Sequence, residues 1–189
     1  MTLLKIARMG HPVLISRAEE ILDPTTREIR TLVENMVETM VDAQGVGLAA
    51  PQVHVGKRVI IFNSPKGRSD EDAPETDFAP VTALINPEIE ILDETQELGW
   101  EGCLSIPGLT GAVPRHTRIR YKGFTPTGRS IEREATGFHA RVVQHECDHL
   151  DGILYTMRMT DLSMLSFTDE LQRRAADGAE EGDSGDAEA

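Results

Sequence analysis

Apolar residues recur at helical spacing at Ile29, Leu32, Val33, Met36, Val37, Met40 and Val41, a stripe that predicts a helix with one face on a core. Asp23-Pro24 breaks the chain before it. Thr25 supplies an N-cap with Glu28 three residues on, a capping-box spacing, and Gly45 supplies a C-terminal stop. Beyond this helix the period shortens. Residues 57–62 read as a short buried strand and 64–80 as a polar, acidic surface loop. Residues 81–86 and 88–92 read as two short strands divided by Pro87, and 116–124 with 129–134 as a hairpin about Thr125-Pro-Thr-Gly128. Residues 1–22 read as irregular, with a turn at Gly10-His11-Pro12, and 162–174 as a modest final helix.

One helical pattern differs from the rest. From Thr136-Gly137 to Asp151-Gly152 no face is wholly polar: Phe138 and Val142 fall on one side, and Ala140, Val143, Cys147 and Leu150 on the other. A helix apolar all round is a buried helix, so the other segments should wrap it. Within it lies His145-Glu146-Cys147-Asp148-His149. Residues four apart share a helix face, so both imidazoles can point at one metal ion, with Glu146 beside them. Such groups are costly to bury without partners, and a metal supplies one. One helix, then short strands at spacings too close for crossover units, then the buried helix make an α+β fold of short antiparallel sheets around a central metal-binding helix.

Composition narrows the function classes. The 189 residues suit one domain, here residues 1–174, and a tail, 175–189, in which Asp177, Glu180, Glu181, Asp183, Asp186 and Glu188 stand with no base among them. A net charge of −13 argues against direct nucleic-acid or anionic-lipid binding. The longest apolar runs are too short to span a membrane, the N-terminus lacks the apolar stretch of a secretory signal, and two cysteines make no disulfide framework. The expected compartment is the cytoplasm.

Two histidines hold a metal loosely, and catalytic sites of this kind use three protein ligands. Downstream, Asp151 is too close to fold back, and Asp161 and Asp169 stand in no distinctive setting. Cys147 is about 200° from His145 round the helix and reads as a small apolar core residue. His139 is turned away from the metal face, and His11, His54 and His116 are isolated. Cys103, in Glu101-Gly-Cys-Leu-Ser105, is presented by a glycine-adjacent loop between strands and is the preferred third ligand. Asp148 reads as an ion-pair partner, with Arg115 a candidate.

Gly45-Val-Gly-Leu-Ala-Ala-Pro-Gln52, Glu101-Gly-Cys-Leu-Ser105 and Gln144-His-Glu-Cys-Asp-His149 occur in the order and approximate spacing of the three signature motifs of peptide deformylase. Ile6, with His11-Pro12-Val13-Leu14, is also similar to that family, and the likeness runs from about residue 3 to 160. The resemblance implies removal of the formyl group from the N-terminal formyl-methionine of nascent polypeptides. Cys103, His145 and His149 would hold the ion, and Glu146 would act as general base and acid toward hydroxide generated there. Gln52 and the Leu104 backbone N–H would hold the substrate oxygen. It implies main-chain pairing of substrate with Val46 and Gly47, and a methionine slot lined by Phe138, Val142, Val46 and Leu104 with Arg141 at its edge. The family implies Fe²⁺, with Zn²⁺, Ni²⁺ or Co²⁺ able to substitute. Transient ribosome proximity is expected, although only Arg173-Arg174 precede the acidic tail. Two rivals stand beside this reading: a general zinc metallopeptidase using the same helix, and a metal-stabilised binding module with a closed four-ligand site.

Overall fold

The structure, a computed structural model, describes residues 2–66 and 74–174; the expected acidic tail lies outside them. Helix α1 spans Arg27–Asp42 and buries Ile29, Val33, Met36 and Met40, the stripe read from the sequence. Both of its ends differ from expectation. Asp23 Oδ1 accepts from the Thr25 N–H and hydroxyl (2.8 and 2.6 Å), so the N-cap moves to Thr26, whose Oγ1 accepts from Ile29 N–H. At the other end the left-handed residue is Gln44 (φ 55°), and Gly45 N–H closes the turn onto Met40 O at 2.8 Å. Val41, one residue past the buried seam, is exposed.

The sheet has strands β1 (Gly47–Ala49), β2 (Val59–Ser64), β3 (Ala79–Cys103), β4 (Ile106–Phe124), β5 (Ser130–Thr136) and β6 (Leu165–Phe167). It runs β1-β2-β3-β4-β5, antiparallel throughout, with β6 added to β4. Pro87 does not divide two strands. Asn86 takes a left-handed conformation (φ 49°), its side-chain amide bonds Ile21 N and O at 2.9 and 2.8 Å, and β3 resumes after a register shift. β3 then continues to Cys103, so residues 100–103 are the end of a strand rather than a loop. The expected hairpin joins β4 to β5 about Thr125–Gly128. The expected final helix is broken up: a short turn at Leu162–Met164, then β6 drawn into the sheet against Leu109–Gly111, and helical geometry only at 168–174.

Helix α2 spans Gly137–Leu150, with every residue from His139 on buried except Arg141, which is partly so. Its Ala140, Val143, Cys147 and Leu150 pack with Ile60 and Phe62 of β2 and Ile119 and Tyr121 of β4. The sheet therefore wraps α2, and the opposite side of the helix faces β1 and the end of β3. Across the back runs the N-terminal strap, where Ala7 N–H donates to Gln52 O and Met9 N–H to Ser105 O. No helix among the described residues is long and apolar enough to cross a membrane.

Candidate metal centre

The last turns of α2 present His145 and His149 on one side, with ring centroids 5.0 Å apart. The end of β3 carries Cys103 to the same point, and the ligand atoms of the three residues lie within 4.8 Å of one another. Cys103 Sγ is 3.3 Å from His149 Nε2. Sulfur and nitrogen bound tetrahedrally to one ion sit about 3.6 Å apart, so the spacing fits a divalent transition metal held by one thiolate and two imidazoles. Among the described residues this is the cluster of metal-ligating groups that forms.

Behind the rings lies a buried ionic network. Glu101, two residues from Cys103 and so on the same side of β3, accepts from His145 Nδ1 at 2.8 Å and from Arg115 Nε and Nη2 at 2.9 and 3.0 Å. Arg141 Nη1 donates to the same carboxylate at 2.9 Å. Burial pushes Glu101 up, but His145 and Arg115 outweigh it and hold the carboxyl at about 2. Arg115 also binds Asp148, which Arg158 grips with two nitrogens at 3.1 and 2.7 Å. Burial disfavours charge on both ligand histidines. At His145 the neighbouring Cys103 and Glu101 reverse that and raise its pKa well above the ordinary value, while His149 is pushed well below it.

In front of the rings opens a cavity of about 520 Å³. Its walls include Val46 and Gly47 on one side, Leu104 and Gln52 on another, and Phe138, Arg141, Val142, His145 and Glu146 along α2. Burial, with the nearby Glu101 charge adding to it, lifts Glu146 to about 7, although His145 opposes this. Glu146 Oε2 is buried with no hydrogen-bond partner among the described residues. Gly47 makes that placement possible, because a Cβ there would collide with Glu146 Oε1. Gln52 is held by its own oxygen, which accepts from Ala49 N–H at 2.8 Å, so its nitrogen faces Cys103 Sγ (3.4 Å) and Ser105 Oγ (3.2 Å).

The structure thus gathers all the site residues read from the sequence, with His149 behind Cys103 rather than in the cavity wall. Arg141 is a wall residue whose guanidinium is committed, to Glu101 and to the carbonyls of Glu97, Gly99 and Val113. Cys147 lies in the core, its thiol pushed up by burial, and Asp151 and Asp161 are taken up by Arg58 and Ser163. His11 is not isolated, since its ring meets His54 edge-on at 4.7 Å. Glu101, Arg158 and Ser105 join the site although no sequence motif assigns them a role there. For Glu101 the two-residue spacing to Cys103 was an available signal, hidden by reading that stretch as a loop.

The sequence model of the family described as "Polypeptide deformylase" matches residues 3–164. "Peptide deformylase 1" of Bordetella pertussis is 52% identical over 166 residues, covering 88% of this chain and 93% of that one. Among solved structures, a peptide deformylase from Ehrlichia chaffeensis superposes with a TM-score of 0.79 at 30% identity, covering 96% of this chain and 99% of its own. A class I type b peptide deformylase from Acinetobacter baumannii, solved with Met-Ala-Ser bound, gives a TM-score of 0.76 at 38% identity over 84% of this chain and 99% of its own.

Proposed function

The chain belongs to the polypeptide deformylase family, and from that premise we propose which of its residues carry the reaction. As a member it removes the formyl group from the N-terminal formyl-methionine of newly made polypeptides, in a metal-dependent hydrolysis. Cys103, His145 and His149 hold the ion. The convergence of their ligand atoms within 4.8 Å, beside a cavity that Cys103 and His145 line together with Glu146, is the observation that carries this reading. When bound, the ion supplies Lewis acidity toward the attacking water and the formyl oxygen.

Glu146 takes the proton of the attacking water on its carboxylate and delivers one to the departing amine. As charge builds on the formyl oxygen, the Gln52 side-chain N–H and the Leu104 backbone N–H donate to it, each worth about 3 kcal/mol where such donors are fixed in advance. Val46 and Gly47, at the outer edge of the sheet, pair with the extended substrate chain. Phe138, Val142, Val46 and Leu104 form the methionine slot, and Arg141 closes its edge.

We assign Fe²⁺ as the ion in the cell on the family resemblance, with Zn²⁺, Ni²⁺ and Co²⁺ as substitutes. The donor set of one sulfur and two nitrogens supports any of these. Residues 1–174 act as one catalytic unit. The free cysteines support a reducing, cytoplasmic setting, where the substrate is the nascent chain and the ribosome is met only transiently. Met-Ala-Ser, bound by the Acinetobacter relative, is what formyl-Met-Ala-Ser becomes on losing its formyl group. Anaerobically prepared protein with its metal quantified should release formate from formyl-Met-Ala-Ser and leave acetyl-Met-Ala-Ser intact. Cleavage of an internal peptide bond instead would turn the reading toward a general peptidase.

A further inference from the structure

We propose that Ser105 is a positioning residue for the reaction, acting through the Gln52 amide. The inference rests on the reading of Gln52 as a donor to the formyl oxygen. Ser105 is fully buried at the turn joining β3 to β4, and Gln52 Nε2 donates to its hydroxyl at 3.2 Å. The amide is gripped from the other end by Ala49 N–H on its oxygen at 2.8 Å. A side-chain amide carries two N–H groups on one nitrogen. With the oxygen clamped by Ala49 and one N–H by Ser105, the second N–H has a single direction left, toward the cavity, where it donates to Cys103 Sγ at 3.4 Å.

The backbone makes the same pair rigid. The N-terminal strap donates from Ala7 N–H to Gln52 O at 2.7 Å and, two residues on, from Met9 N–H to Ser105 O at 2.8 Å. Two residues of one short segment therefore tie the two partners to each other. A donor aimed before charge develops costs no reorganisation during the reaction, whereas an amide held only at its oxygen can swing away from the reacting atom. Replacing Ser105 by alanine keeps the backbone clamp and the shape of the core and removes only the hydroxyl.

The test is a four-protein cycle of wild type, Q52A, S105A and Q52A/S105A, each with its metal content measured and assayed on formyl-Met-Ala-Ser. S105A should lower kcat about tenfold with KM and metal content unchanged, and should have no further effect once Gln52 is alanine. In wild-type protein the Gln52 Nε2 protons should exchange with solvent far more slowly than those of an exposed glutamine, a measurement independent of how the variants fold. Full activity in S105A, an equal loss in the Q52A background, or a freely exchanging amide would each overturn the role of Ser105. If Q52A itself keeps wild-type kcat, the fault lies instead in the assignment of Gln52.

Discussion

Glu101 accepts the Nδ1–H of His145 at 2.8 Å. Since the carboxyl is held at about 2 it is an acceptor only, so Nδ1 carries the proton and Nε2 is the nitrogen that would hold an ion. The bond thus selects the tautomer as well as the ring angle. Arg115 and Arg141 fix the carboxylate in turn, and Arg158 reaches the same network from the surface through Asp148.

E101Q keeps the size of the side chain but replaces the paired charge with an amide, so His145 loses its fixed partner. Such a change should weaken metal retention 10- to 100-fold, on the order seen for partners of metal-bound histidines. Competition with a chelator, read as metal released against chelator concentration, measures this without any assay of turnover. Retention equal to wild type would show that the helix alone sets the ring.

Gly47 has a second use beyond the main-chain pairing assigned to it. Because a Cβ there would collide with Glu146 Oε1, G47A must push the carboxylate aside or shift β1. A displacement of about 1 Å at a reacting group costs on the order of a hundredfold in rate. G47A should therefore lose about that much in kcat while retaining its metal, which Cys103, His145 and His149 hold without touching Gly47. Steady-state kinetics with metal analysis checks both halves.

These two glutamates show how far the sequence could be read. The His145–His149 spacing, the apolar ring of α2 and the three motifs point to the helix, to the three residues whose ligand atoms the structure gathers within 4.8 Å and to residues that line the cavity. What stayed hidden depended on partners distant in the chain. Pro87 read as a strand break, but the side chain of Asn86 satisfies Ile21 and β3 carries on past a register shift. The pair Ser105–Gln52 spans 53 residues, and no local pattern announces it. The break-up of 162–174 is tertiary override of a weak helical signal, since Leu165–Phe167 gain a ladder with β4.

E146Q leaves the ligand set whole and removes the group assigned to move protons. Turnover of formyl-Met-Ala-Ser should fall by about 10³-fold or more, with metal content and KM near wild type. A metal-stabilised binding module would lose nothing. Rapid turnover by E146Q would instead move the proton transfer to solvent.

His139 lies away from the metal, on the other side of α2, and predicts a pH dependence of stability. Its Nδ1 is 2.7 Å from Thr76 O, an acceptor, so Nδ1 carries a proton, and Nε2 is buried without a partner among the described residues. The rings of Phe62 and Tyr121 enclose it. Burial lowers its pKa and Arg133 of β5 adds to this, while the Thr76 carbonyl and the Asp77 charge oppose. In the unfolded chain the same imidazole titrates near about 6.5. Below that pH the unfolded state takes up a proton that the folded state refuses, so the contribution of His139 is present above it and drains away as pH falls toward the lowered folded value. H139F should cost about 1 kcal/mol near neutrality through the lost hydrogen bond, and its deficit should shrink on going from pH 7 to pH 5. Urea unfolding of both metal-loaded proteins across that range isolates the effect, because groups common to the two cancel in the difference. A deficit constant with pH would mean that the folded protein protonates His139 as readily as the unfolded chain does.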